Sequence, residues 1–403
     1  MFKSLSLKVI IFGFIFTFFS CFGQSFFIGL FNSSIRETLS ITHGQFGTIY
    51  ASATLLSSLI LIWIGKKIDD MDVFKFSIFV IILLSFACYF FSTIKIVPLL
   101  FVGIFFLRLS GQGLMSHTAT TTVARFFEKT RGKALSVTWL GLSAAEFIMP
   151  VLMVFLLTIT SWRNLWISIS ILVLILLPII SFLLVKKLKL DSRENTKHHD
   201  EKIDTNIKQW TRSEVIRDYR FYIVTLNMLS MPSIATGVFV YQSFIVSSKN
   251  WGPFIMAQSF MVYSILSVIT LTISGFLIDR YTSRKLLIYM NIPLFISALV
   301  LFSFNSSFSS FIFLGLIGIT NGFANVLGSS TWAEIYGVKY IGSIKALTGG
   351  LMVFATAAGT AIFGLLIDAG YSINSIAIFS SIYIAIIVLL LFFFRKKIEP
   401  VYI

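Results

Sequence analysis

Two charged residues stand where a membrane-buried chain can least tolerate them. Arg108 falls in Phe105-Phe-Leu-Arg108-Leu-Ser110-Gly111-Gln112-Gly113, and Glu146 in Trp139-Leu-Gly141-Leu-Ser143-Ala-Ala-Glu146-Phe-Ile-Met-Pro150. Both stretches lie within mainly apolar runs, 98–123 and 134–158, that are long enough to cross a bilayer. A charge at the bilayer centre costs a few kcal/mol or more if it faces lipid, so each must be given water, a partner or a ligand. A guanidinium stays charged throughout a working cycle and suits a carboxylate ligand. A carboxyl beside it can release or take up a proton as a second anion arrives or leaves. The two spans are consecutive and antiparallel, which places Arg108 and Glu146 at similar depth. Two readings follow: an anion site with a coupled proton carrier, or a permanent structural ion pair.

The elements that must carry these residues are apolar helices. The chain has 403 residues, 57% of them hydrophobic and 12% charged, with a mean hydropathy of +0.91. Runs of about 20 apolar residues recur along its whole length. The expected spans are 8–32, 45–65, 76–94, 98–123, 134–158, 164–185, 221–247, 254–278, 286–304, 310–334, 346–367 and 374–394. This is an all-α membrane protein of twelve transmembrane helices. Its expected division is an N-terminal six-helix bundle (1–185), a cytoplasmic linker (186–220) and a C-terminal six-helix bundle (221–403).

The formal net charge of +15 does not indicate a nucleic-acid partner. With both termini on one side, 27 of the 32 Lys and Arg residues fall on that side, against Arg36, Lys95, Arg163 and Lys249 on the other. By the positive-inside rule that asymmetry predicts cytoplasmic termini. The first apolar run follows Lys3 and Lys8 and reads as an uncleaved span. Cys21 and Cys88 lie in apolar runs and imply neither a disulfide nor a metal site. His198 and His199, adjacent in the linker, do not preorganise a metal site, and residues 209–220 suggest a short basic helix on the membrane surface. No hydrolase or metalloprotease motif is present, so no enzyme activity and no cofactor are expected.

The two halves resemble each other at an offset near 210 residues. His43-Gly44-Gln45-Phe46 matches Trp251-Gly252-Pro253-Phe254, and Gly65-Lys-Lys-Ile68-Asp69 matches Gly275-Phe-Leu-Ile278-Asp279. Gly132-Lys133-Ala134-Leu135 matches Ile344-Lys345-Ala346-Leu347. Repeated halves mark secondary transporters, with the substrate site near the midplane. Under that register Arg108 maps near Gly318–Thr320 and Glu146 near Ala358, so neither charge belongs to the shared scaffold.

Gly275-x-x-x-Asp279-Arg280-x-x-Ser283-Arg284-Lys285 resembles the signature loop of the major facilitator superfamily, with Thr282 in place of the second glycine. The first-half copy keeps Gly65 and Asp69, has Asp70 and Asp72 at two other positions, and regains a cation at Lys75. The stretch Arg125–Leu135 is similar to the loop before span 5 in prokaryotic monocarboxylate-porter-like members. The resemblance implies two pseudo-symmetric bundles working by alternating access. It also implies a gate latch at Gly65, Asp69, Gly275, Asp279 and Arg280, with the glycines allowing close packing and the carboxylates facing helix N-termini of the other half. In that fold spans 1, 4, 7 and 10 line the cavity, which makes Gln24, Arg108, Gln112, Tyr241, Gln242, Asn321 and Asn325 the candidate substrate contacts and Glu146 the proton-coupling residue. The implied function is a proton-coupled symporter of a small organic anion such as a monocarboxylate, working as a monomer in a bacterial inner membrane. Proton-driven export of drugs or metabolites is an alternative, although Gly141 and Pro150 match only part of the antiporter pattern. A membrane sensor or receptor on the same fold is a third reading.

Overall fold

The computed structural model describes residues 2–127, 130–186 and 207–402, so Lys129 and the expected linker histidines His198 and His199 lie outside the described residues. Twelve helices are long and apolar enough to cross a membrane: Leu5–Gly29, His43–Asp69, Val73–Ser92, Val97–Phe126, Arg131–Leu157, Trp162–Val185, Tyr219–Val240, Pro253–Tyr281, Ser283–Ser303, Ser307–Tyr336, Ile341–Asp368 and Ile373–Phe394. They are called spans 1 to 12 below. The described residues gather into two compact units. One holds spans 1–6 together with Phe239–Phe244, and the other holds the remainder of spans 7–12 and their loops.

Local chemistry sets many of the helix ends. Thr42 caps span 2 by accepting from Gln45 N, while the Gln45 side chain accepts from Thr42 N. This reciprocal arrangement satisfies two of the free amides at a helix start. Asp72, Ser161 and Ser372 cap spans 3, 6 and 12 in the simpler way. Spans 6 and 12 have the highest hydropathy, 2.9 each, and expose many large apolar side chains, including Ile175, Leu183, Phe393 and Leu389. Those surfaces face hydrocarbon at no cost, because in lipid only packing and polar bonding distinguish inside from outside.

Small residues let backbones meet within each unit. A Cβ on Gly141 of span 5 would fall 2.0 Å from Phe14 O of span 1, and a Cβ on Gly359 of span 11 would fall 2.0 Å from Ser233 O of span 7. The same crossing thus occurs in both halves, at a register somewhat longer than the one read at the loops.

The segment before span 7 is partly exposed, with Arg212, Ser213, Ile216 and Arg217 at the surface. Its helix, Arg212–Arg217, has only six residues, and Val215 is fully buried with Phe221, Trp332, Tyr336 and Ile398. Lys208 N donates to Val401 O at 2.8 Å and Arg220 Nη1 to Glu399 O at 2.6 Å, tying this segment to the C-terminal tail. The Thr211 amide, together with Lys208, holds the Glu214 carboxyl at about 2, below the usual carboxylate range. That contribution is present above the unfolded-state value of about 4.3 and is lost as pH falls toward 2.

Span 8 passes into span 9 through Thr282, at φ 70° and ψ 148°. This region is essentially reserved for glycine, and another residue there is strained by about 1–3 kcal/mol. The Thr282 hydroxyl is also buried without a hydrogen-bond partner among the described residues. Thr282→Gly relieves the strain but loosens the unfolded chain, leaving a net gain of about 1 kcal/mol. It is expected to raise the melting temperature by roughly 1–2 °C. An unchanged or lower value would show that the turn is not strained.

Candidate functional site

Span 1 is not a continuous helix. A 3₁₀ turn occupies Ser20–Gly23, Gln24 is extended (φ −83°, ψ 152°), and a short helix resumes over Ser25–Gly29. The last carbonyls of a helix segment have no partner within it, and here Arg108 supplies one. Its Nη1 donates to Gly23 O at 3.0 Å. Arg108 itself opens a run of π-helical turns, Arg108–Met115, in span 4. Such wide turns are frequent at functional sites. The two irregular segments touch through glycine. A Cβ on Gly23 would lie 2.3 Å from both Leu107 O and Gln112 N, and one on Gly111 would lie 2.8 Å from Gly23 Cα.

Arg108 is only 3% exposed. Its guanidinium carbon lies 5.3 Å from the Tyr50 ring centroid of span 2, a distance at which the ring face attracts a cation. Its Nε is buried with no hydrogen-bond partner among the described residues. Glu146 is also buried, but no ion pair joins it to Arg108 among the described residues, so the contact expected from their common depth is not formed. Cys21 of span 1 is an electrostatic neighbour of Glu146.

The other candidates divide. Gln24 and Gln112 flank the Gly23–Gly111 contact and are partly exposed. Tyr241 and Gln242 are buried and already bonded: Tyr241 Oη donates to His43 O at 2.8 Å, and Gln242 Nε2 to Phe26 O at 2.9 Å. Asn321 Nδ2 donates to Ser267 Oγ at 2.9 Å, and Asn325 is exposed.

At the loop after span 2, Asp69 pairs with Arg125 of span 4 in its own unit, and Arg125 Nη1 also reaches Ile68 O at 3.1 Å. A Cβ on Gly65 would meet His117 Nε2 at 3.2 Å, so this glycine does pack closely. The matching expectation for Gly275 fails, since a Cβ there would meet nothing within 4 Å. Asp279 and Arg280 are exposed, with Arg280 over the Tyr281 ring. Glu334 of span 10 caps span 9, its carboxylate accepting from Ser283 N at 2.8 Å and Arg284 N at 3.1 Å.

The sequence profile described as "Major Facilitator Superfamily" matches residues 13–289. The chain belongs to the major facilitator superfamily. It is therefore a secondary transporter that moves a small solute across a membrane, and not an enzyme. No curated protein sequence matches it. Among solved structures it is similar to a bacterial homolog of the human lysosomal transporter Spinster in an inward-facing, occupied conformation. The TM-score is 0.73 at 12% identity, covering 98% of each chain. The nucleoside transporter NupG gives 0.70 at 14% identity, covering 97% of this chain and 98% of that one. At such identities the likeness shows the major facilitator fold alone.

Three features of the Arg108 site escape sequence reading: the Gly23 carbonyl, the Gly111 contact and the Tyr50 ring. Adjacent small residues in Cys21-Phe-Gly23 and Ser110-Gly111 are the signal that was available, because glycine in apolar helices marks close backbone approach.

Proposed function

We propose that this transporter carries a small organic anion of the monocarboxylate class, that Arg108 binds the anionic group, and that Glu146 exchanges the coupled proton. The carrying observation is Arg108 itself. It is a buried guanidinium held by one carbonyl and one ring, and among the described residues its Nε has no hydrogen-bond partner and no carboxylate lies within ion-pair distance. A substrate carboxylate placed there gains charge-assisted hydrogen bonds that a neutral solute does not. Gln24 and Gln112 stand beside it and complete the polar set in this reading. Tyr241 and Gln242, which already donate to main-chain carbonyls, are kept among the substrate contacts in this reading. Asn321 and Asn325 remain the contributions assigned to the second unit. The Lys and Arg asymmetry supports cytoplasmic termini, and a bacterial inner membrane is the setting we assign.

Glu146→Gln tests the coupling. In proteoliposomes with an imposed pH gradient, the variant is expected to bind and exchange substrate but to lose net uphill accumulation. Accumulation equal to that of the parent would remove Glu146 from the proton path. For the gate we retain Asp279 and Arg280; Asp69 is exposed as they are, but is paired with Arg125. Asp279→Asn is expected to shift cysteine-probe accessibility toward the open state on the cytoplasmic face. Unchanged labelling on both faces would count against that role.

A further inference from the structure

Where span 8 ends, span 9 begins and span 12 ends, the second unit contains a crevice of about 550 Å³. Its cationic lining is Arg284 and Lys285 from the start of span 9, and Arg395 and Lys396 from just beyond span 12. The one carboxylate in the lining is Glu399. It lies 3.7 Å from Arg284 Nη1, beyond hydrogen-bond distance, and is largely exposed. Apart from this ion pair, Arg284 Nη1, which is buried, has no hydrogen-bond partner among the described residues. The Arg284 main-chain amide is already taken by Glu334, so any ligand here is held by side chains. Four cations against one carboxylate leave a surplus of positive charge around one small space.

The rest of the lining is apolar or aromatic: Leu277, Leu286 and Ile288, with Tyr281 and Tyr289. Beside it, Phe276 and Phe393 point outward at 73% and 75% exposure, on the surface that hydrocarbon covers. The crevice thus lies where apolar spans give way to charged residues, which is headgroup depth, and its exposed tyrosines suit that level.

We propose that this crevice binds an anionic phospholipid, its phosphate among Arg284, Lys285, Arg395 and Lys396 and its acyl chains along Leu277 and Ile288. A soluble phosphate would share the headgroup chemistry but would leave the apolar wall unused. Clustered basic residues beside a span recognise anionic lipid in this way, each contributing about a fivefold gain in affinity.

The test uses the full-length protein in zwitterionic nanodiscs. Short-chain phosphatidylglycerol, phosphatidylcholine of the same chain length, glycerol 3-phosphate and inorganic phosphate are titrated separately, and binding is followed by the rise in melting temperature. Phosphatidylglycerol is expected to bind saturably, the other three weakly or not at all. The double variant Arg395→Gln/Lys396→Gln changes only exposed side chains past the end of span 12. It is expected to lower phosphatidylglycerol affinity roughly 25-fold, whereas Lys66→Gln/Lys67→Gln, an equal loss of charge in the other unit, should not. Equal binding of glycerol 3-phosphate or inorganic phosphate would assign the site to a soluble anion and overturn the lipid reading. Absence of saturable binding, or equal weakening by both double variants, would overturn the site altogether.

Discussion

Replacing Arg108 by Gln is expected to lower substrate affinity and uptake by about a hundredfold or more while leaving the twelve-span fold intact. Two charge-assisted hydrogen bonds to a carboxylate contribute about 3 kcal/mol together in a dry site, and 1.4 kcal/mol is a factor of ten. Gln keeps a donor for Gly23 O, now 3.0 Å from the guanidinium, so the main-chain contact between spans 1 and 4 has a replacement. The cost therefore falls on binding rather than on folding. Arg108→Lys keeps the charge but loses the planar fork, and it should fall between the parent and Arg108→Gln. Equilibrium binding and initial uptake rates on purified protein, with its melting temperature alongside, separate the two effects. A Gln variant that binds substrate as the parent does would exclude Arg108 from the site.

The second large effect is expected at Gly23. In Gly23→Ala the new methyl group would lie 2.3 Å from Leu107 O and from Gln112 N. These are backbone atoms of span 4 and cannot swing aside as a flexible side chain can, so spans 1 and 4 must separate. Overpacking typically costs 1–3 kcal/mol, and with backbone on both sides about 3 kcal/mol is expected here. The separation also pulls Gly23 O away from Arg108, so transport should fall with stability. Gly350→Ala in span 11 is the control. A Cβ there meets nothing within 4 Å, and the exchange should be neutral or slightly stabilising, because alanine favours the helix. Equal melting temperatures for the two alanine variants would contradict the close approach at Gly23.

The spans were legible because hydropathy reports depth, and depth is nearly all that defines a crossing helix. Arg108 and Glu146 were legible for the same reason: a charge at mid-depth stands out wherever its side chain turns. Direction around a helix axis is a different matter. Equal depth suggested that Arg108 meets Glu146, whereas the π-helical turns from Arg108 to Met115 and the break at Gln24 turn the guanidinium to Gly23 O and Tyr50 instead. Neither irregularity has a sequence mark beyond a nearby glycine. The gate loops show the same limit. Gly65 and Gly275 occupy matching motif positions, yet only Gly65 is packed, because His117 stands against it. Thr282 is the opposite case. The motif asks for glycine there, and the positive φ of Thr282 supplies the physical reason.

The most direct test of an anion site at Arg108 is counterflow. Proteoliposomes are preloaded with an unlabelled small monocarboxylic acid and diluted into the labelled acid, with a neutral nucleoside run in parallel, for the parent and for Arg108→Gln. The expected result is a transient overshoot of at least one acid with the parent, none with Arg108→Gln, and none with the nucleoside in either. Overshoot of the nucleoside to the same extent in both proteins, with no acid moved by the parent, would contradict the assignment.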